Sequence, residues 1–157
     1  TVVGLIIFGA AIFIFTNFIS SEEVEDMPKP ELSYDKNGFP IITEEHVAYV
    51  IHQLGGESLR NIPFTKNYPQ IEVLLQTKEQ FFTADIINEV SVKKGKASDP
   101  DLQIRLTEEN LAKLVEAENT KEKTRELRKA GFIGVTTLAS SRELFFKGYF
   151  KIYDTLK

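Results

Sequence analysis

The sequence predicts an α+β fold: a mostly antiparallel sheet of about five strands covered by helices, preceded by a helix of transmembrane length and an acidic stalk. Three observations predict it. Residues 1–19 carry no charge and no proline. Beyond residue 42, apolar residues recur in some segments at helical spacing and in others at the alternating spacing of a strand. Hydroxyl residues, acids and glycines mark the borders between these segments. With 42% hydrophobic and 27% charged residues the composition is that of a globular chain. What remains after the apolar segment is enough for one domain and short of two. The division is 1–19 as a hydrophobic anchor or assembly helix, 20–39 as a stalk and 40–157 as a head.

At ~1.5 Å per residue the first segment makes a helix of roughly 28 Å, close to the ~30 Å hydrocarbon core of a bilayer. Gly4 and Gly9 allow close approach of a neighbouring helix, while Leu5, Phe8, Ile12, Phe13 and Phe15 supply packing area. These seven are the candidate anchor and assembly residues, and the partners are membrane lipid, further copies of the helix, or both. A retained apolar segment without a basic leader fits a simple anchor, or a mature subunit whose leader is cut just before the helix. Over about twenty residues it resembles the N-terminal helix of type IV pilin-like proteins. Bacterial pilins usually carry glutamate at the fifth mature position, and Leu5 stands there, which fits archaeal pilins better. That resemblance implies a structural subunit whose helices pack in a filament core with heads displayed outside.

The stalk holds Glu22, Glu23, Glu25, Asp26, Glu31 and Asp35 against Lys29 and Lys36, which accounts for the whole formal charge of −4. An acidic flank is unlike the Lys- and Arg-rich cytoplasmic side of a membrane helix. The expected location is therefore membrane-anchored or in a cell-surface filament, with the head extracytoplasmic. Pro28 and Pro30 interrupt helix, and Asn37-Gly38 makes a turn. The spacing of the acids does not match a calcium loop, so the stalk reads as a solvated spacer.

In the head, Thr43 caps a helix whose first turn carries Glu44 and Glu45, with Val47, Val50, Ile51 and Leu54 as its buried stripe and Gly55-Gly56 as its stop. Three β-prone runs follow at 70–76, 80–87 and 89–94, joined by short polar connectors as in a meander. Asp99-Pro100-Asp101 turns into Leu102–Leu106, where apolar residues alternate with Gln103 and Arg105. Thr107 caps the next helix, with Leu111, Leu114 and Val115 on one face. A charged helix over 121–130 ends at Gly131, and 132–139 reads as the last strand. Ser140 or Ser141 opens a terminal helix whose face, with Phe145, Phe146, Tyr149, Phe150 and Tyr153, is wider than a surface helix needs.

The run SDPDLQIRLTEENLAKLVEAEN, followed by a charged helix, a strand and an apolar terminal helix, resembles the sterol carrier protein type two domain over roughly residues 68–157. Its more specific part is Asp99 to Leu111. The family's usual Gly-Asp after the returning strand is replaced by Ala139-Ser140-Ser141. The resemblance implies a five-stranded sheet under helices, with an apolar tunnel that can hold lipid.

The catalytic inventory is thin, and no enzyme is expected. The only histidines, His46 and His52, are six residues apart on one helix and point about 120° apart. There is no cysteine, phosphate loop, nucleophile elbow or HExxH. No catalytic, cofactor or metal residue is assigned. Basic and acidic residues balance after residue 36, which gives no footprint for nucleic acid. The remaining surface is the terminal aromatic face of Phe145, Phe146, Tyr149, Phe150 and Tyr153. It reads as the lining of a lipid tunnel or as close packing, core packing being the expected alternative. The main functional expectation is a pilin-like structural subunit, and the alternative is a membrane-anchored lipid-binding module of sterol-carrier type.

Overall fold

The computed structural model describes residues 27–156. Two short strands, β1 (Ser33–Tyr34) and β2 (Pro40–Ile41), pair antiparallel and lead into α1 (Glu44–Gln53). A 3-10 turn (Gly56–Ser58) and a loop then reach β3 (Gln70–Leu75), β4 (Gln80–Ile86) and β5 (Val90–Lys94). The rest of the chain forms β6 (Leu102–Leu106), α2 (Glu108–Glu116), α3 (Thr120–Lys129), β7 (Gly134–Thr137), α4 (Ser141–Phe146) and α5 (Phe150–Leu156).

The main sheet has the order β5-β4-β3-β6-β7. All its pairs are antiparallel except the central one, where β3 runs parallel to β6 with Val73 opposite Ile104. Period-two alternation divides its faces. Ile71, Val73, Leu75, Phe82, Ala84, Leu102 and Leu106 are each no more than 2% exposed and form the inner face. On the opposite face stand Gln70, Glu72, Thr83, Asp85, Gln103 and Arg105. Glu72 is buried there beneath the 95–99 connector, accepting hydrogen bonds from the Ala97 N–H (3.0 Å) and Gln103 Nε2 (2.7 Å).

Helices cover the inner face. α1 packs on β4 and β5 and against α2, while α3 packs against α2 and α5. Each begins for a local reason. At α1, the Thr43 N–H and hydroxyl both bond His46 Nδ1, in a reciprocal cap where histidine replaces the usual glutamate. Thr107 accepts from the Asn110 N–H at α2, and Asn119 from the Glu122 N–H at α3. Gly55, at φ 95°, ends α1 in the left-handed region that glycine enters without strain.

Four expectations change. First, no helix among the described residues is long and apolar enough to cross a membrane. The longest, α1 and α3, have 10 residues each, about half a bilayer's span. This corrects the fold class, and with it the expected membrane-anchored or filament-borne location with an extracytoplasmic head. The segment expected to form the spanning helix, with Gly4, Leu5, Phe8, Gly9, Ile12, Phe13 and Phe15, lies outside the described residues.

Second, the described part of the expected stalk lies on the head. Met27 and Leu32 pack on the core, Lys29 Nζ donates to the Glu116 carbonyl (2.9 Å), and the Tyr34 hydroxyl reaches the Glu116 carboxylate (3.2 Å). Asp35 takes the Asn37 and Phe39 N–H groups at 2.8 and 3.0 Å, which hold its carboxyl below the ordinary range. The proline-laced acidic run masked two apolar residues that the core absorbs.

Third, the expected meander is present as β3-β4-β5, but β6 joins its β3 edge in parallel, a pairing the sequence reading did not specify. Fourth, the single terminal helix is two. Gly148, at φ 83°, breaks it, and a Cβ there would sit 3.3 Å from the Ser58 carbonyl oxygen.

Candidate functional site

The break at Gly148 sorts the terminal aromatics. Tyr149 is fully buried, whereas Phe145, Phe146 and Phe150 are 65%, 49% and 56% exposed. Tyr153 is half-buried against the core. In one unbroken helix these residues would spread around a single cylinder. Here α5 turns away from α4, so the Phe145 and Phe150 rings stack with centroids 5.8 Å apart. Phe146 meets Phe145 edge-on at 6.0 Å and carries the Arg142 guanidinium 5.7 Å over its ring.

Between α4 and α5 lies a groove of about 380 Å³, lined by Ser141, Leu144, Phe145, Phe150, Tyr153 and Asp154. Four of its lining residues are apolar or aromatic, and the other two, Ser141 and Asp154, are exposed. Of the five aromatics singled out from the sequence, three line this groove, Phe146 flanks it and Tyr149 lies beneath it in the core.

The groove is held in place by a buried polar junction. Asp101, Lys147 and Tyr149 are all at most 2% exposed. The Asp101 carboxylate accepts Lys147 Nζ at 2.5 Å, the Tyr149 hydroxyl at 2.9 Å and the Gln70 N–H at 2.9 Å. Its backbone binds Gln70 on one side and Leu138 and Ala139 on the other. One residue at the mouth of β6 thus fixes β3, the exit of β7 and the α4–α5 link. Several bonds to one carboxylate offset the heavy desolvation of a buried ion pair. Burial first, then the Asp101 charge and hydrogen bond, push the Tyr149 phenol far above its ordinary range. It therefore stays a donor. The sequence reading treated Asp101 only as part of a turn. Its role depends on residues 46 and 48 positions away, which no local pattern carries.

The tunnel implied by the sterol-carrier resemblance is nearly closed. Between α1, α2, α3 and the sheet lies a void of about 20 Å³, whose lining includes Val50, Leu54, Val73, Ile104 and Leu114. That is room for about one water in an apolar setting that would keep it dry.

Both histidines sit on α1 and are buried. His46 Nδ1 accepts from Thr43, and Nε2 donates to the Glu31 carbonyl at 3.0 Å, so its ring is a structural cap. His52 Nε2 lies 3.1 Å from Glu57 without hydrogen-bond alignment. Among the described residues no cluster of three His, Asp or Glu side chains could hold a metal ion.

No family model matches the chain, and no curated protein matches it. Among solved structures, a UbiJ-SCP2 ubiquinone synthesis protein is 14% identical with TM-score 0.39, over 57% of this chain and 71% of its own. Palmitated SCP2L2 from Aedes aegypti is 13% identical with TM-score 0.43, over 68% and 92%. The inverting sec-alkylsulfatase Pisa1 from Pseudomonas sp. is 13% identical with TM-score 0.39, and the 67% of this chain that overlaps spans only 15% of that protein. With TM-scores below 0.5 these are partial likenesses.

Proposed function

We propose that the chain is a non-enzymatic binding module for a small apolar ligand of lipid type, held in the α4–α5 groove. The observation that carries this is the apolar wall of the groove, Leu144, Phe145, Phe150 and Tyr153, around about 380 Å³ open to solvent. Two of these residues are phenylalanines left more than half exposed, an arrangement that gains free energy only when something covers them. The resemblance of Asp99 to Leu111 to the sterol carrier family supports the same class of ligand. The Asp154 carboxylate at the rim disfavours an anionic head beside it, so the ligand class is an apolar chain with a neutral, hydroxyl-bearing head. A binding role without chemistry fits a rim whose polar groups are one serine and one aspartate, with both histidines buried elsewhere on α1.

The test uses the full chain. Organic extraction and mass spectrometry should recover a neutral lipid from the purified protein, and a fluorescent monoacylglycerol should bind it saturably. Phe145→Ala with Phe150→Ala removes contacts of ~1.5–3 kcal/mol each if the ligand buries both rings, so affinity should fall at least ~tenfold. Unchanged affinity in this double variant would overturn the assignment.

A further inference from the structure

Two segments distant in sequence form one edge of the molecule. The 59–68 loop is tied to the α4–α5 link at one end by the Arg60 N–H bonding the Lys147 carbonyl (3.0 Å). At the other end Asn67 Nδ2 bonds Glu143 (3.0 Å). This edge carries four exposed phenylalanines, of which Phe64 at 108% is the most exposed. Phe64 also has φ 61°, a backbone region that bulky residues rarely occupy. A wet ring on an unfavourable backbone gives the free chain nothing.

The same two segments bear the exposed cations Arg60, Lys66, Arg142 and Lys151. Within them the carboxylates are Glu143, already engaged by Asn67 and Ser140, and Asp154 at the groove rim, so the cations outnumber them. The chain as a whole has a net charge of −4, so the positive edge is a local inversion. A second copy docking here through a two-fold contact would set these cations against one another. Exposed rings interleaved with Lys and Arg instead match the boundary between phosphate headgroups and acyl chains.

We propose that this edge docks reversibly on an anionic lipid surface, with Phe64 and Phe146 entering the acyl boundary and the four cations meeting phosphate. The proposal deepens the groove reading, since Phe145 and Phe150 belong to both, and docking sets the groove mouth beside its source of ligand.

The chain contains no tryptophan, which makes a site-specific reporter available. Phe64→Trp and Phe146→Trp are made singly in the full chain, with Ile87→Trp as a control at another exposed apolar position (54%). With vesicles of phosphatidylglycerol and brominated phosphatidylcholine, emission from both edge reporters should shift to the blue and be quenched, while Ile87→Trp stays unchanged. Contact made by another part of the chain leaves these reporters in water. High salt should weaken the quenching. Lys66→Gln with Lys151→Gln should raise the lipid needed for half-quenching roughly 30-fold, about fivefold per charge. Edge reporters quenched no more than Ile87→Trp would overturn the proposal, as would a blue shift that follows protein concentration without vesicles, which marks contact between copies. The two readings fail separately. Monoacylglycerol binding without reporter insertion removes docking alone, and insertion without saturable binding removes the groove alone.

Discussion

The body made of the sheet with α1, α2 and α3 contrasts with the edge made of α4, α5 and the 59–68 loop. In the body, Phe82 is completely buried and the packing leaves a void of only about 20 Å³. At the edge, phenylalanines only a few residues from buried Tyr149 face outward around a groove of about 380 Å³. Residue type does not decide this difference. A glycine that redirects the chain and an aspartate that fixes the link do, so stability is concentrated in one region and recognition in the other.

The sharpest way to break the comparison is to truncate the same side chain in both regions. Phe82→Ala should cost ~3–5 kcal/mol in urea denaturation, the usual price of emptying a core site. Phe146→Ala, at 49% exposed, should change stability by less than ~1 kcal/mol. Similar losses would show that the edge packs as the body does. Lys147→Ala leaves the buried Asp101 carboxylate without its cation, and a loss of ~3–5 kcal/mol is expected by the same measurement. A small loss would show that the junction is not what holds the two regions together.

Gly148→Ala probes the link directly. A left-handed residue with a Cβ facing the Ser58 carbonyl at 3.3 Å should cost ~1–2 kcal/mol and reduce ligand binding along with stability. Alkaline pH offers a milder test. The Tyr149 phenol is raised in the folded chain, so its stabilisation is complete below the unfolded value near 10. Above that pH the unfolded chain releases a proton that the folded chain keeps. Stability should then fall by up to ~1.4 kcal/mol per pH unit from this residue, and Tyr149→Phe should remove that share of the slope. The smallest effect concerns the loop tie. The Asn67 amide first, then Ser140, lower the Glu143 carboxyl, so Asn67→Ala should move its titration upward in an NMR pH series. An unmoved titration would detach the loop from the edge.

Much of the body was legible in the sequence because its signals are local. Thr43, Thr107 and the Leu102–Leu106 alternation placed their elements correctly, since a cap or a period-two stripe is complete within a few residues. The parallel pairing of β3 with β6 was not legible, because strand order is settled by packing between segments about 30 residues apart. Gly148 lies inside the apolar run and was not read as a break, although its left-handed conformation divides the terminal helix in two. The five aromatics were identified as a face, but spacing records which residues share a side of a helix and not whether anything covers that side. Asp101, Lys147 and Tyr149 were invisible as a unit for the same reason.

The central parallel strand pair also sets an order of events during synthesis. β3, β4 and β5 can zip together as soon as they emerge, since each turn between them is short. Until β6 follows, the second edge of β3 is an open row of backbone donors and acceptors beside Ile71, Val73 and Leu75. Such an edge recruits strands from other chains. A nascent chain whose emerged part ends between β5 and β6 therefore presents this open edge, and the emergence of Leu102–Leu106 covers it.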